Sequence, residues 1–201
     1  MDLLISPASP FVRKTRVAVR ELNLTDTVSE VEVLASPVDD VTDALVAANP
    51  LGKIPVLRRA DGPALYDSRV ITRFLNDHGN GTLYPEARLY EVLTLEATAD
   101  AMMEAAVSMT YERRFRAPEI VSEDWIEGQW RKVARSLTTL ESRWLSHLAG
   151  PLDMGQVGLA CALAYIDFRH DARNWRSLAP QLAAWEASFA ERPSMVETKP
   201  A

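Results

Sequence analysis

The spacing of apolar and polar positions changes near the middle of the chain. Up to about residue 78, short β-type runs alternate with helical ones, which predicts strands at 3–6, 28–33, 54–59 and 63–66 and helices at 10–22, 38–48 and 67–77. The tripeptide "ADG" between the last two strands predicts a hairpin turn. The order β-α-β-α-β-β-α predicts a small open sheet with helices packed against it.

The second half of the chain has a helical pattern throughout. The Gly- and Pro-bearing stretch "HGNGTLYPEA" predicts a linker, and the pattern beyond it predicts helices at 87–116, at 123–148, from 153 onward and at 179–191. Asp153 can cap the third of these helices, with Gln156 reaching back as in a capping box. We therefore predict an α/β plus all-α fold, with domains at 1–79 and 86–201 joined by a linker at 80–85.

Composition narrows the possible partners and location. The 201 residues are 47% hydrophobic and 25% charged, as in ordinary globular proteins, and the net charge is -6. An acidic chain lacks the concentrated Lys and Arg that neutralise phosphates, so we expect no nucleic-acid partner. No uncharged apolar run approaches the roughly 18 residues that span a bilayer, and "MDLLISPASP" lacks a basic signal-peptide region. We expect a cytoplasmic protein without a membrane partner.

The residues that several common catalytic and binding sites require are absent or badly spaced in this sequence. Cys161, the single cysteine, lies among small apolar residues at helical spacing, which favours a packed core position over a nucleophile. His78, His147 and His170 are far apart and no cysteine pair accompanies them, so we expect no metal. The glycine patterns of nucleotide-binding loops and of nucleophile elbows are absent.

Three segments of the first half carry candidate chemistry: "SPASPFVRK", "NPLGKIPVL" and "LYDS". Each alone has a structural explanation. Ser9 before Pro10 is typical of a helix cap followed by proline at the first helical position. Pro55 is compatible with the start of an edge strand, and Asp67 before Ser68 with another helix cap.

In combination, these segments resemble the glutathione S-transferase family over nearly the whole chain. "SPFVRK", "NPLGKIPVL" and "LYDSRVITRFL" are similar to the glutathione-site segments of serine-type bacterial and plant members, and "DMGQVGLACALAYIDFR" is similar to the capped core helix of the second domain. The resemblance implies a thioredoxin-like N-terminal domain followed by a helical bundle. It also implies a homodimeric enzyme that conjugates glutathione, its co-substrate, to small electrophiles. Such an enzyme would act in detoxification.

The family's catalytic serine directly precedes "PF", so the resemblance assigns that role to Ser9. A thiol with a pKa of about 8.5 is mostly protonated at neutral pH, and lowering its pKa by about two units requires roughly 2.7 kcal/mol. A hydroxyl hydrogen bond to an anion supplies about 1.5 to 3 kcal/mol, and a helix N-terminus about 0.3 to 1 kcal/mol. Ser6, which lies nearer the strand end, remains the alternative.

The resemblance also implies the remaining glutathione contacts. A cis Ile54-Pro55 bond would expose the backbone N-H and C=O of Ile54 to the bound tripeptide, although few X-Pro bonds are cis. Ser68 and nearby backbone N-H groups would bind the γ-glutamyl carboxylate, Asp67 the amino group and Lys53 the glycyl carboxylate. Asp67 replaces the glutamate more usual in the family, which shortens the reach of the carboxylate.

Other features leave alternatives open. No tyrosine or cysteine occupies the catalytic position, which argues against tyrosine-type catalysis and against mixed-disulfide chemistry. Four residues of the helix predicted at 87–116 either line a cleft for the acceptor substrate or are core or dimer-interface residues. They are Met102, Met103, Val107 and Tyr111. "YERRFR" predicts a solvated helix face that also attracts anions. A glutathione peroxidase or isomerase, or a non-catalytic interaction protein, is compatible with the same fold.

Overall fold

The structure, a computed structural model, describes residues 1–200. It contains two compact units, one formed by residues 1–89 together with the described residues from Pro193 onward, the other by Tyr90–Arg192. The first holds a small mixed sheet with helices and the second is helical, which confirms the predicted fold class. The domain limits 1–79 and 86–201 stay a prediction.

The first unit is built on a three-stranded sheet. Its elements in chain order are β1 (Asp2–Ile5), α1 (Pro10–Glu21), β2 (Ser29–Glu32), α2 (Asp43–Ala48), β3 (Val56–Arg58) and α3 (Ser68–His78). The strand order is β2-β1-β3, and β1 runs parallel to β2 and antiparallel to β3. The apolar residues of the central strand β1 are buried, with Leu3 and Leu4 on opposite sides of the sheet in separate core clusters.

Three predicted elements of the first unit differ from the structure, since the strand predicted at 54–59 covers only Val56–Arg58. The helix predicted at 38–48 begins only at Asp43, because the Ser36 hydroxyl accepts the N-H groups of Val38 and Asp39 and holds this stretch in a turn. The predicted fourth strand at 63–66 is wrong. Only Leu65 pairs with β3, through two reciprocal backbone hydrogen bonds to Leu57, since Pro63 has no N-H to extend the ladder.

The second unit contains five α-helices within its described residues. They are α4 (Leu89–Phe115), α5 (Glu123–Arg143), α6 (Leu145–Leu148), α7 (Met154–His170) and α8 (Pro180–Phe189). The helix predicted at 123–148 is therefore divided at Trp144. The α7 helix is the buried core element, and Cys161 is fully buried in it as predicted. A Cβ at Gly155 would lie 2.9 Å from the Leu95 Cβ, so this glycine permits close packing of α7 on α4.

A ninth helix, α9 (Pro193–Glu197), was not predicted. The pattern predicts that the preceding helix ends at residue 191, and Pro193, two residues later, begins a new helix, a position that proline tolerates well. The α9 helix packs on α1 and so belongs to the first unit. No helix within residues 1–200 is both long and apolar enough to cross a membrane.

Candidate functional site

Sheet topology places the three predicted site segments at one edge of the sheet. Ser9 follows the C-terminal end of β1, and Ile54 precedes the N-terminal end of β3, which pairs antiparallel with β1. Leu65 pairs antiparallel with Leu57, so the chain continues from there toward the same edge and reaches Ser68. Antiparallel neighbours bring opposite ends of their strands together. These segments, far apart in sequence, therefore converge.

Ser9 caps the N-terminus of α1. Its hydroxyl oxygen accepts the Val12 N-H at 3.4 Å, and Pro10 occupies the first helical position. The backbone N-H of Ser9 donates to the Ser6 carbonyl at 3.0 Å. The capping bond is long and uses only a lone pair of the oxygen. The hydroxyl hydrogen of this half-buried serine is therefore available to donate to a ligand at the positive end of α1.

Ser6 occupies a different position. It directly follows β1, is half buried, and contributes its backbone carbonyl to the turn that leads into α1. Its hydroxyl caps no helix within residues 1–200. Of the two serines, Ser9 alone combines a hydroxyl with a helix N-terminus.

The loop before β3 presents unpaired backbone groups. The Ile54-Pro55 peptide bond is cis, as the family resemblance implied. Neither the N-H nor the C=O of Ile54 is hydrogen-bonded to another residue of the described range. A half-buried residue with both groups free at the end of an edge strand can pair with an extended peptide as an added strand does.

The N-terminus of α3 combines an anion site with a carboxylate. The Asp67 side chain caps the helix by accepting the Arg69 N-H at 3.0 Å, and Ser68 is 3% exposed. Partial burial raises the pKa of Asp67, but hydrogen bonds from the Arg69 guanidinium and N-H, with the charges of Arg69 and Lys14, outweigh it and lower the pKa overall. Asp67 is therefore ionised at neutral pH. The N-H groups in the first turn of α3 and the Ser68 hydroxyl are hydrogen-bond donors, so they favour an anion.

Lys53 is exposed, and its backbone is held by a residue that sequence reasoning missed. The Asn49 amide donates to the Lys53 carbonyl at 2.9 Å and its oxygen accepts the Leu51 N-H at 3.1 Å. Asn49 is 2% exposed, so a buried side chain holds this loop in place. Gly52 has a φ of +61°, a conformation that favours glycine. The dipeptide Asn-Pro, which favours turns, was the available signal for Asn49.

Two basic residues near this site were also missed. Lys14 is fully buried and Arg13 is 7% exposed, although charged side chains are almost never fully buried unless they are paired. Lys14 contributes to the low pKa of Asp67. Sequence alone carries no signal for such burial, because it depends on distant segments that cover α1.

The residues considered for an acceptor cleft fall into two groups. Met102 and Met103 are buried in the second unit, as core residues, whereas Tyr111 is 40% exposed. Burial raises the pKa of Tyr111, as does neighbouring Tyr165, with partial opposition from a nearby arginine. Three of the four charged residues of "YERRFR" form ion pairs: Arg113 with Glu123 at 2.7 Å, and Arg116 with Glu112 at 2.7 Å. Within residues 1–200 no group of three His, Cys, Asp or Glu side chains is placed to hold a metal ion.

Comparison with known proteins identifies similar sequences and structures. Residues 8–78 match the model of the glutathione S-transferase N-terminal domain, and residues 123–188 match that of the C-terminal domain. The chain is 30% identical to the uncharacterized GST-like protein YibF of Escherichia coli K12, over all of this chain and 98% of that protein.

Two crystal structures from Pseudomonas fluorescens Pf-5 are more similar. One is a glutathione transferase family member with bound glutathione, 43% identical with a TM-score of 0.96, covering 100% of this chain and 98% of that one. The other contains bound S-(propanoic acid)-glutathione and is 42% identical with a TM-score of 0.92, covering 100% of both chains.

Proposed function

This chain belongs to the glutathione S-transferase family, and on that premise we propose that it is a serine-type glutathione transferase. In this proposal Ser9 donates a hydrogen bond to the thiolate of bound glutathione, which then attacks a small hydrophobic electrophile. The observation that carries the proposal is the Ser9 hydroxyl, which caps α1 through its oxygen and keeps its hydrogen available. Cap and thiolate donor are thus compatible roles of one side chain.

Glutathione binding uses the other groups at the same sheet edge. The free N-H and C=O of Ile54 pair with the tripeptide backbone, and Ser68 with the first-turn N-H groups of α3 receives the γ-glutamyl carboxylate. Ionised Asp67 binds the amino group. Exposed Lys53 binds the glycyl carboxylate. Each ligand charge then meets a protein group of complementary charge or polarity.

The chemistry of the related structures supports conjugation. S-(propanoic acid)-glutathione, bound by the relative that is 42% identical, is a thioether of glutathione and therefore has the bond that conjugation forms. A peroxidase would form a disulfide or sulfenate instead, and an isomerase would release free thiol. In the proposed function, this chain also forms a thioether of glutathione.

A substrate panel tests the reaction class. The purified protein is assayed with an aryl halide, an activated alkene, a hydroperoxide and a maleyl-type substrate, with product analysis for a thioether. We expect thioether formation that Ser9→Ala suppresses and Ser6→Ala leaves intact. Turnover of the hydroperoxide or the maleyl compound alone would replace conjugation by peroxidase or isomerase activity. Calorimetry that detects no glutathione binding would favour a non-catalytic interaction protein.

We also propose a homodimer. An apolar groove of about 530 Å³ lies on the surface of the second unit, lined by Tyr90, Leu93, Ala97, Ala101 and Ser136 among others. Tyr90 is 80% exposed and Leu93 38% exposed, which is costly for a lone chain. Sedimentation of the wild type and of Leu93→Glu tests this, with a dimer expected for the former and a shift toward monomer for the latter.

A cytoplasmic location and a role in detoxification complete the proposal. The single, buried cysteine forms no disulfide within the chain, which suits a reducing compartment. Fractionation of native cells, followed by detection of the protein, tests the location.

A further inference from the structure

The chain turns sharply where α3 ends, at the dipeptide Asn80-Gly81. The N-H of Gly81 donates to the Asn76 carbonyl at 2.7 Å, and the N-H of Asn80 donates to the Asp77 carbonyl at 3.3 Å. Gly79 is the C-terminal cap of the helix, and Asn80 has a φ of +50°. These two bonds and the left-handed residue form a Schellman motif, in which Asn80 occupies the position where glycine is usual and asparagine occurs sometimes.

An asparagine that is followed by glycine undergoes a spontaneous reaction. The backbone nitrogen of the glycine, after loss of its proton, attacks the side-chain amide carbon, the bond to the amide nitrogen breaks, and ammonia leaves. Water then opens the cyclic succinimide at either carbonyl, which gives aspartate or isoaspartate. Glycine favours the attack because it has no Cβ to obstruct the nitrogen. The Asn-Gly pair at 80 and 81 is the only one in the sequence, and Asn80 is exposed to water.

The hydrogen bonds of the folded turn oppose this reaction. The nitrogen that would attack is the one whose proton is held by the Asn76 carbonyl. A succinimide nitrogen carries no hydrogen, so ring closure necessarily breaks this bond and leaves the carbonyl without its partner. The side-chain oxygen of buried Asn76 also accepts the Leu83 N-H at 2.9 Å, so one residue holds the chain on both sides of Thr82.

Packing restricts the same turn. The side chain of Leu22, the residue that caps the C-terminal end of α1, lies over both glycines. A Cβ at Gly79 would be 3.5 Å from the Leu22 Cβ, and a Cβ at Gly81 would overlap the Leu22 Cδ2. Leu22 itself packs against the apolar core of the first unit. The turn therefore opens only when Gly81 leaves a packed position, which makes opening a local unfolding event with a free-energy cost.

We propose that Asn80 is a modification site that the fold keeps unreactive: its succinimide forms when the turn after α3 opens, and not while the two hydrogen bonds of the turn are intact. This inference is independent of the proposed catalytic function. Each conversion consumes one water and releases one ammonia. In the isoaspartate product the backbone passes through an additional carbon, so the Gly81 N-H no longer meets the Asn76 carbonyl. A chain that has reacted here refolds with a weakened end of α3.

The experiment compares the rate of conversion in folded and unfolded full-length protein at mildly alkaline pH. One sample is kept in buffer and the other in guanidinium chloride above the unfolding transition, and tryptic peptides are analysed by mass spectrometry at intervals. Trypsin cleaves after Arg73 and Arg88, so one peptide contains both Asn76 and Asn80, which fragment ions distinguish. We expect the rate at Asn80 to be about 30-fold lower in the folded sample, equivalent to an opening free energy of about 2 kcal/mol. Equal rates in the two samples would overturn the inference, as would an unfolded sample that does not react.

Asn174 provides an internal control for the role of glycine. It has a similar backbone conformation, with a φ of +45°, but Trp175 follows it. We expect no conversion of Asn174 in the unfolded sample over the period in which Asn80 reacts. Equal conversion of the two asparagines would show that Gly81 does not make the site reactive, which would overturn the assignment of Asn80.

Two variants test the source of the protection. Leu22→Ala uncovers the turn, and we expect conversion of Asn80 in the folded variant to accelerate about tenfold, with an unchanged rate in guanidinium chloride. Asn80→Gly removes the reactive amide and supplies the usual residue, so its peptide should stay unmodified. A Leu22→Ala variant that is folded by circular dichroism and reacts at the wild-type rate would overturn the assignment of protection to this packed turn. If Leu22→Ala is unfolded, the comparison of folded and unfolded wild-type protein still decides.

Discussion

The helices α1 and α7 both begin at a side-chain cap, but the two caps differ in how many partners they have. At α7, fully buried Asp153 accepts the Gln156 N-H at 3.1 Å, while the Gln156 side chain accepts the Asp153 N-H at 3.2 Å. The second carboxylate oxygen lies 2.8 Å from the His147 Nε2. At α1, half-buried Ser9 makes one capping bond of 3.4 Å.

This difference distinguishes a purely structural cap from a cap that can also bind a ligand. Asp153 is fully buried and its carboxylate lies against Gln156 and His147, so this cap is inaccessible to a ligand. Ser9 uses part of its capacity at an accessible helix end, which is what an anion-binding site requires. Both sequences, "SPF" and "DMGQ", are equally typical of helix caps, so the distinction depends on burial and partners.

The largest expected effect is on stability, at the α7 cap. Asp153→Ala removes the cap and leaves buried groups of Gln156 and His147 unpaired, so we expect the free energy of unfolding to fall by about 3 kcal/mol. Urea unfolding measures it. Ser122→Ala at the exposed cap of α5 is the control, with an expected loss of about 1 kcal/mol or less. Equal losses in the two variants would contradict the structural assignment of Asp153.

The next effect is on reactivity, at the α1 cap. Ser9→Ala removes one hydrogen bond to the thiolate, worth about 2 kcal/mol, and we expect kcat/KM for conjugation at neutral pH to fall about 30-fold. The free energy of unfolding should fall by only about 0.5 kcal/mol, because the capping bond is long. Steady-state kinetics and urea unfolding of the same samples provide both values. Ser6→Ala with a greater kinetic loss than Ser9→Ala would reverse the assignment.

A smaller effect is expected at the N-terminus of α3, which in the proposed function binds glutathione without touching its sulfur. Ser68→Ala removes one donor to the γ-glutamyl carboxylate, and we expect the Kd for glutathione to rise about tenfold. The pKa of the bound thiol should stay as in the wild type. Calorimetry and thiolate absorbance distinguish the two quantities, and an unchanged Kd with a shifted thiol pKa would assign Ser68 to the wrong end of the ligand.

The smallest effect concerns pH. Because the pKa of Asp67 is lowered, its carboxylate stays ionised in mild acid, and the Kd for an S-alkyl glutathione, which has no thiol to titrate, should be constant from pH 7 to about pH 5. The Asp67 contribution to stability is present above the pKa of the unfolded chain and is lost as the pH falls through the lower folded value. It is small, since Asp67 is more than half exposed. Acid unfolding of Asp67→Asn measures this contribution, and a Kd for the S-alkyl glutathione that already rises near pH 6 would contradict the low pKa of Asp67.

Local sequence signals were sufficient for the elements whose ends are fixed locally. Ser9 with Pro10 predicted the start of α1, and Asp153 with Gln156 predicted the capping box of α7, because caps are made by residues three positions apart. The early start assigned to α2 and the full strand at 63–66 were wrong. There a serine turn and a proline changed the backbone hydrogen bonds of segments whose apolar pattern was otherwise regular.

The sequence motifs of the candidate site could be predicted, whereas most of the contacts that hold these motifs in place could not. The cis bond at Ile54 was expected only from the family resemblance, since the residues themselves favour trans. Asn49 had only a weak turn signal, and Arg13 had none, because the Met195 carbonyl to which its guanidinium donates is 182 residues away. Contacts at such separations depend on the fold of everything between them.

That separation has a consequence for biosynthesis. A ribosome releases α1 early, but α9 emerges only after all of the intervening helical unit, so the thioredoxin-like unit cannot be completed in the order in which it is made. Until then the Arg13 guanidinium lacks the carbonyl that holds it. The nascent chain therefore carries the segment that begins at Ser9 long before α9 is available to hold the helix that this segment forms.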